Sequence, residues 1–164
     1  MTVYRYCTPE WLEACVEFYR STPKFKEAFA KLSTSVVFRA LREPAWGIEK
    51  DILYGASVDK GILLSIQFYS ESEAQQKADY IMAAAPGEWK RLIRHEGKFT
   101  GDLMLGKISL EKGSKVGVLQ LAPYSNTFIE ALTPGELRFP DEMSPPELAE
   151  YRSYMAEFRG KRGV

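Results

Sequence analysis

Histidine is almost missing from this chain: His95 is the only one in 164 residues. A zinc site or a Ser-His-Asp triad built on it would need partners that no local spacing supplies. Its neighbours Arg94 and Glu96 place it at a helix end, where it reads as a surface residue. Cysteine is scarce too. Cys7 and Cys15 are too few for a disulfide framework and read as thiols of a reducing cytoplasm. There is no P-loop, no G-x-G-x-x-G after a strand and no G-x-S-x-G. No metal, nucleotide or other cofactor is therefore expected. An excess of one charge is lacking as well, since 22 Lys and Arg balance 22 Asp and Glu. That argues against a general nucleic-acid binder. The apolar runs are too short to span a bilayer. The start "MTVYRYCTPEW" has no basic stretch ahead of an apolar core, so no signal peptide is expected.

What is present is the apolar content of an ordinary globular protein, 45% hydrophobic and 27% charged. The length suits one domain. Thr8-Pro9-Glu10 is helix-start chemistry, and Trp11, Cys15 and Phe18 follow at helical spacing. Ser21-Thr22-Pro23 repeats the signal ahead of Phe25, Phe29 and Leu32. Together they predict a helical hairpin over residues 8–33. The period then changes to two. Val36–Leu41, Ile52–Val58 and Ile62–Tyr69 read as strands, the last pair joined by the turn Asp59-Lys60-Gly61. Ser70–Lys77 reads as a polar loop or a single turn, and Ala78–Met82 as a fourth strand. Pro86 starts a helix, Gly97 ends it, and Gly106–Glu111 alternates as a short fifth strand. Ser114 caps an apolar helix reaching Leu132, which Pro123 should kink or split. Beyond it, three prolines between Arg138 and Pro146 predict an extended wrap. Tyr151, Tyr154, Met155 and Phe158 mark a last helix, acidic at its start and basic at its end. The expected organisation is a body of residues 1–133 and an extension of residues 134–164 carrying one helix.

Two strings carry a resemblance. Ala78-Asp79-Tyr80-Ile81-Met82 followed by the helix Pro86–Ile93 is one. Gly106-Lys107-Ile108-Ser109-Leu110-Glu111-Lys112-Gly113 followed by an apolar helix is the other. With the order of elements around them, they resemble the sterol carrier protein (SCP-2-like) family over roughly Lys24 to Leu132. The resemblance implies an α+β fold, a mixed five-stranded sheet covered on one face by helices. It also implies an apolar tunnel between sheet and helices holding a fatty acid, acyl-CoA ester or other lipid. The helical hairpin and the C-terminal extension depart from the plain family pattern.

On that basis Phe68, Met82, Trp89, Leu92, Ile93, Leu103, Leu105, Leu119 and Phe128 are candidates for the tunnel lining. Apolar stripes at these spacings serve equally well as close-packed core. The stretch from residue 86 to 115 is locally basic. Lys90 and Arg94 are candidates to hold a ligand head group, and the stretch as a whole a candidate for transient contact with a membrane surface. Its other reading is a solvated helix face. The expected function is non-catalytic binding or transfer of a hydrophobic ligand. Two alternatives stand beside it. One is an acyl-thioester-processing enzyme of the hot-dog type, against which the helix after the fourth strand counts. The other is a ligand-free interaction module that forms a homodimer through the last helix.

Overall fold

The computed structural model describes all residues, 1–164. Helices α1 (Pro9–Ser21) and α2 (Pro23–Ala28) follow the short strand β1 (Val3–Arg5). Strands β2 (Ser33–Ala40), β3 (Ile52–Asp59) and β4 (Ile62–Tyr69) come next, then α3 (Glu71–Lys77), β5 (Tyr80–Ala84), α4 (Pro86–Ile93) and α5 (Phe99–Met104). The chain continues through β6 (Ser109–Lys112), α6 (Lys115–Leu121), α7 (Ser125–Ala131), β7 (Glu136–Arg138) and α8 (Pro145–Arg162).

Five strands form one sheet in the order β4-β3-β2-β5-β6. β2 pairs antiparallel with β3 and parallel with β5, so the sheet is mixed. This is the α+β architecture with a five-stranded mixed sheet that the resemblance implies. The β3–β4 hairpin turns at Lys60 and Gly61, both in the left-handed region. Gly61 packs so tightly that a Cβ there would lie 2.3 Å from the Lys26 carbonyl oxygen, which leaves only glycine.

The caps read from the sequence are made. Thr8 Oγ1 accepts from Trp11 N–H at the start of α1, and Ser114 Oγ accepts from Gly117 N–H at the start of α6. Pro123 splits the last apolar helix through a 3-10 turn, Ala122–Tyr124, between α6 and α7. Three local readings change. α2 stops at Ala28, because Ser33 already pairs with Asp59 as the first rung of β2. The segment 71–77, expected as a loop or one turn, is a helix of seven residues. A capping box makes it: Ser70 Oγ accepts from Glu73 N–H, and the Glu73 carboxylate accepts from Ser70 N–H. The expected wrap is preceded by β7, which ends at Arg138 and pairs in parallel with β1 as a separate two-stranded ribbon.

The two faces of the sheet differ. Val36, Phe38, Tyr54, Ala56 and Met82 point to the face covered by α1, α4, α6, α7 and α8, where a cluster of 31 buried residues forms the main core. The other face carries a second cluster of six, in which Ala74 in the middle of α3 and Ala78 just past its end meet Val37, Leu53, Tyr69 and Ile81. Helices thus cover one face, and the short α3 adds cover to the other. The main core also takes Leu137, Phe139, Tyr151, Met155 and Phe158 from beyond residue 133. Tyr151 O–H donates to the Tyr6 carbonyl at 2.6 Å, and the Phe158 ring lies 5.2 Å from Phe68. The apolar side of α8 is therefore used inside the chain. Tyr151, Met155 and Phe158, offered above as a homodimer face, are buried in a single copy.

Candidate ligand cavity

Between the sheet and its helical roof lies an apolar cavity of about 120 Å³. Nineteen of its twenty-one lining residues are hydrophobic. The floor comes from alternate positions of β2 and β3, including Val36, Phe38, Tyr54 and Ala56, with Met82 from β5. Period-two alternation puts these on one side of the sheet. The roof comes from Trp89, Leu92 and Ile93 on α4, from Leu121 and Tyr124 beside Pro123, and from Phe128, Ile129 and Leu132. The 3-10 turn re-aims the chain, so α6 and α7 present residues at two angles instead of one continuous stripe. Aromatic rings brace the walls. Phe38 stacks on Phe128 at 5.5 Å and meets Trp89 edge-on at 5.4 Å. Trp89 is held by its indole N–H, which donates to the Arg39 carbonyl at 2.9 Å.

Of the residues named from the sequence, Met82, Trp89, Leu92, Ile93 and Phe128 border this cavity. Four do not. Phe68 is core, packed under α8 against Phe158. Leu103 is buried in the main core away from the cavity wall. Leu105 is 74% exposed just beyond α5, and Leu119 is 39% exposed on the outer side of α6. On α6 it is Val118 that turns inward, completely buried, and its neighbour Leu119 consequently faces out. Sequence reasoning missed the floor residues Val36, Phe38, Tyr54 and Ala56 as lining. Their alternation was visible, but a strand pattern does not say whether its apolar face meets side chains or a void.

Lys90 and Arg94 are not aimed into the cavity. Lys90 on α4 and Arg94, the residue that caps its end, lie one turn apart on a different side from Trp89, Leu92 and Ile93, and both are engaged by the segment after residue 134. Lys90 Nζ lies 2.8 Å from Asp141, and Arg94 donates to Glu142 at 2.8 Å and to the Leu137 carbonyl at 3.0 Å. Both cations also stand over the Phe139 ring, at 5.6 and 5.1 Å. Burial alone would raise the Glu142 carboxyl, but hydrogen bonds from Phe139 N–H and Arg94 hold it below its usual value. The chain's own carboxylates thus occupy the place assigned above to a ligand head group. Cys7 and Cys15 are free and buried, and burial pushes both thiols far up.

The sheet order, the helical roof and the apolar cavity can be set beside known proteins. Sterol carrier protein 2 in a crystal structure superposes at TM-score 0.61, with 20% identity, over 77% of this chain and 94% of that one. The fold is the sterol carrier protein fold. A conserved hypothetical protein of Thermus thermophilus, described as a possible sterol carrier protein, matches at TM-score 0.61 and 20% identity over 77% of this chain and 85% of its own. Sterol carrier protein 2 of Yarrowia lipolytica, in its apo form, matches at TM-score 0.50 and 14% identity over 76% and 88%. No family model matches the sequence, and no curated protein does. Identities this low establish the sterol carrier fold and leave the activity to be argued from the cavity. No helix is long and apolar enough to cross a membrane.

Proposed function

We propose that this protein binds a hydrophobic small molecule or lipid without transforming it, holding its apolar part in the cavity between sheet and roof. The observation that carries the reading is the cavity itself, an apolar space walled by aromatic rings in a fold whose named examples are sterol carrier proteins. The driving force is transfer of apolar surface out of water, about 0.8 kcal/mol per buried CH₂. The space is comparable to the roughly 150 Å³ engineered cavity that admits benzene. It holds a short apolar segment as it stands. Surface Met104, Leu105 and Val116, with exposed Lys98, Lys107 and Lys115, provide contact with an anionic membrane from which a ligand is collected.

The test is displacement of a neutral fluorescent probe by medium-chain lipids, with native mass spectrometry on the same samples. Micromolar binding is expected, together with a rise in melting temperature that grows with ligand concentration. No bound species and no displacement at high micromolar ligand would refute the carrier reading. A hydrolysis assay with acyl-CoA esters addresses the thioesterase alternative directly, and turnover there would replace binding as the function.

A further inference from the structure

A second concavity, of about 280 Å³, opens where the α1–α2 turn meets the start of β4. It shares Tyr19 and Leu63 with the apolar cavity and no other residue, so the two spaces lie back to back across these side chains. Their walls differ in charge. None of the twenty-one residues around the cavity is charged. Of the eight around the second pocket, Arg20 and Lys26 are cations and none is a carboxylate.

Neither cation is paired with an acid. Arg20 donates through one guanidinium nitrogen to the Leu63 carbonyl at 3.0 Å and to the Leu64 carbonyl at 3.5 Å, which leaves its other two nitrogens without a protein partner. Lys26 is exposed and bonds no protein group. The Thr22 side chain, on the same wall, makes no cap to α2. Tyr19 and Arg20 are consecutive on α1, so one turns toward the apolar side and the next toward the basic one. Tyr19 is held in place between them: its O–H donates to the Gly61 carbonyl at 2.7 Å and its ring stacks on Phe25 at 5.5 Å.

An ionised head drawn wholly into the cavity would lose its hydration without meeting a cation. The Tyr124 hydroxyl on the cavity wall bonds no protein group and suits an uncharged head, but a phenol does not neutralise an ion. The second pocket supplies what the cavity lacks, a guanidinium and an ammonium open to water, and these are the groups that bond carboxylates and phosphates.

We infer that the Arg20–Lys26 pocket is the head-group end of the ligand site, taking the anionic head of an amphiphile, carboxylate or phosphate, whose chain lies in the apolar cavity beyond Tyr19. This rests on the cavity being the ligand site and deepens that reading by giving the head group a charge and a place.

The experiment is isothermal titration calorimetry of the full chain at pH 8 and low salt with octanoate, octyl phosphate and 1-octanol, each variant being checked for folding by circular dichroism. Lys26→Glu should weaken the anions by tenfold or more and leave octanol within twofold. Arg20→Gln, which keeps a donor for the Leu63 carbonyl, should act in the same direction. Ala56→Leu, which fills the cavity, should weaken all three compounds. A response of octanoate alone assigns a carboxylate head and one of octyl phosphate alone a phosphate head, and either sustains the inference. Anion binding undiminished in Ala56→Leu would separate the pocket from the cavity and overturn it. So would loss of anion binding in Lys31→Glu or Lys98→Glu, beside the lining residues Leu32 and Phe99, with none in Lys26→Glu. Octanol binding together with anions indifferent to both Lys26→Glu and Arg20→Gln refutes the head-group site alone. No binding by any of the three refutes the cavity as a ligand site, and the inference with it.

Discussion

The two faces of the sheet are built on opposite principles although they share the same strands. On β2, Val36 and Phe38 look into the cavity, while Val37 and Arg39 look the other way. The cavity face is aromatic and incompletely filled. At about 24 cal/mol per Å³, an empty space of 120 Å³ forgoes about 3 kcal/mol of packing. The opposite face is tied by charge. Arg39 is 9% exposed and reaches three carboxylates: Glu71 on α3 through two bonds of 2.7 and 2.8 Å, Glu111 on β6 at 2.8 Å, and Asp51 ahead of β3 at 3.3 Å. Burial would lower its pKa, but the hydrogen bonds and charges of Glu71 and Glu111 raise it, so the guanidinium stays charged. A sheet clamped from behind can carry a cavity in front without losing its register.

Breaking the clamp should have the largest effect. Arg39→Ala leaves three carboxylates facing each other and should cost about 2–4 kcal/mol in chemical denaturation, with Arg39→Lys recovering only part, since one ammonium cannot reach the three carboxylates that Nε, Nη1 and Nη2 bond separately. A loss under about 1 kcal/mol would mean that the clamp does not hold the sheet. Neighbouring residues on β5 give the next contrast. Ile81 is fully buried on the clamped face and Met82 lines the cavity. Ile81→Ala should cost about 3–4 kcal/mol and leave ligand binding intact. Met82→Ala, beside a void that already exists, should cost about 2 kcal/mol and change affinity. Equal costs and equal binding would remove the distinction between the faces. Filling the void should have a smaller effect on stability. Ala56→Leu should shift it by about 1 kcal/mol or less while abolishing probe binding.

The smallest effect is expected in acid. The carboxyls of Glu142 and Glu147, which tie down the C-terminal segment, and of Glu73, in the cap of α3, are all held below the ordinary value of 4.5. For Glu147 the leading cause is the Arg138 hydrogen bond, and for Glu73 it is the Ser70 backbone N–H. A lowered folded-state pKa contributes stability that is complete above the unfolded-state value. It is lost as pH falls below about 4.5 through the lower folded-state values. Melting temperature should fall gradually over that range. Glu73→Gln and Glu142→Gln should each remove part of the fall, which divides it between the two faces.

Much of this was legible along the chain. The caps at Thr8 and Ser114, the Asp59-Lys60-Gly61 turn, the break at Pro123 and the five strands all follow from local chemistry acting within a few residues. α3 was missed because Ala74 is the only apolar residue on it, and its helix depends on the Ser70–Glu73 box. β1 and β7 were missed because three-residue strands have no period to read, and their pairing joins residues more than a hundred positions apart. Within the candidate site, α4 was readable, since Trp89, Leu92 and Ile93 share a helical face. Leu105 and Leu119 were misplaced because apolarity reports a preference for burial and carries no information about which neighbour arrives.

The sequence by itself determined where elements start and stop and which residues alternate, because those depend on backbone sterics and on hydrogen bonds within one turn. It also set the apolar character of the sheet's main face. Only the tertiary structure decided that this face meets a cavity, and that Lys90 and Arg94 are held by Asp141 and Glu142 instead of a ligand. Only there does Arg39 become the clamp behind it. Voids and ion pairs of this kind are properties of surfaces brought together from distant parts of the chain, and no local pattern encodes the gap left between them.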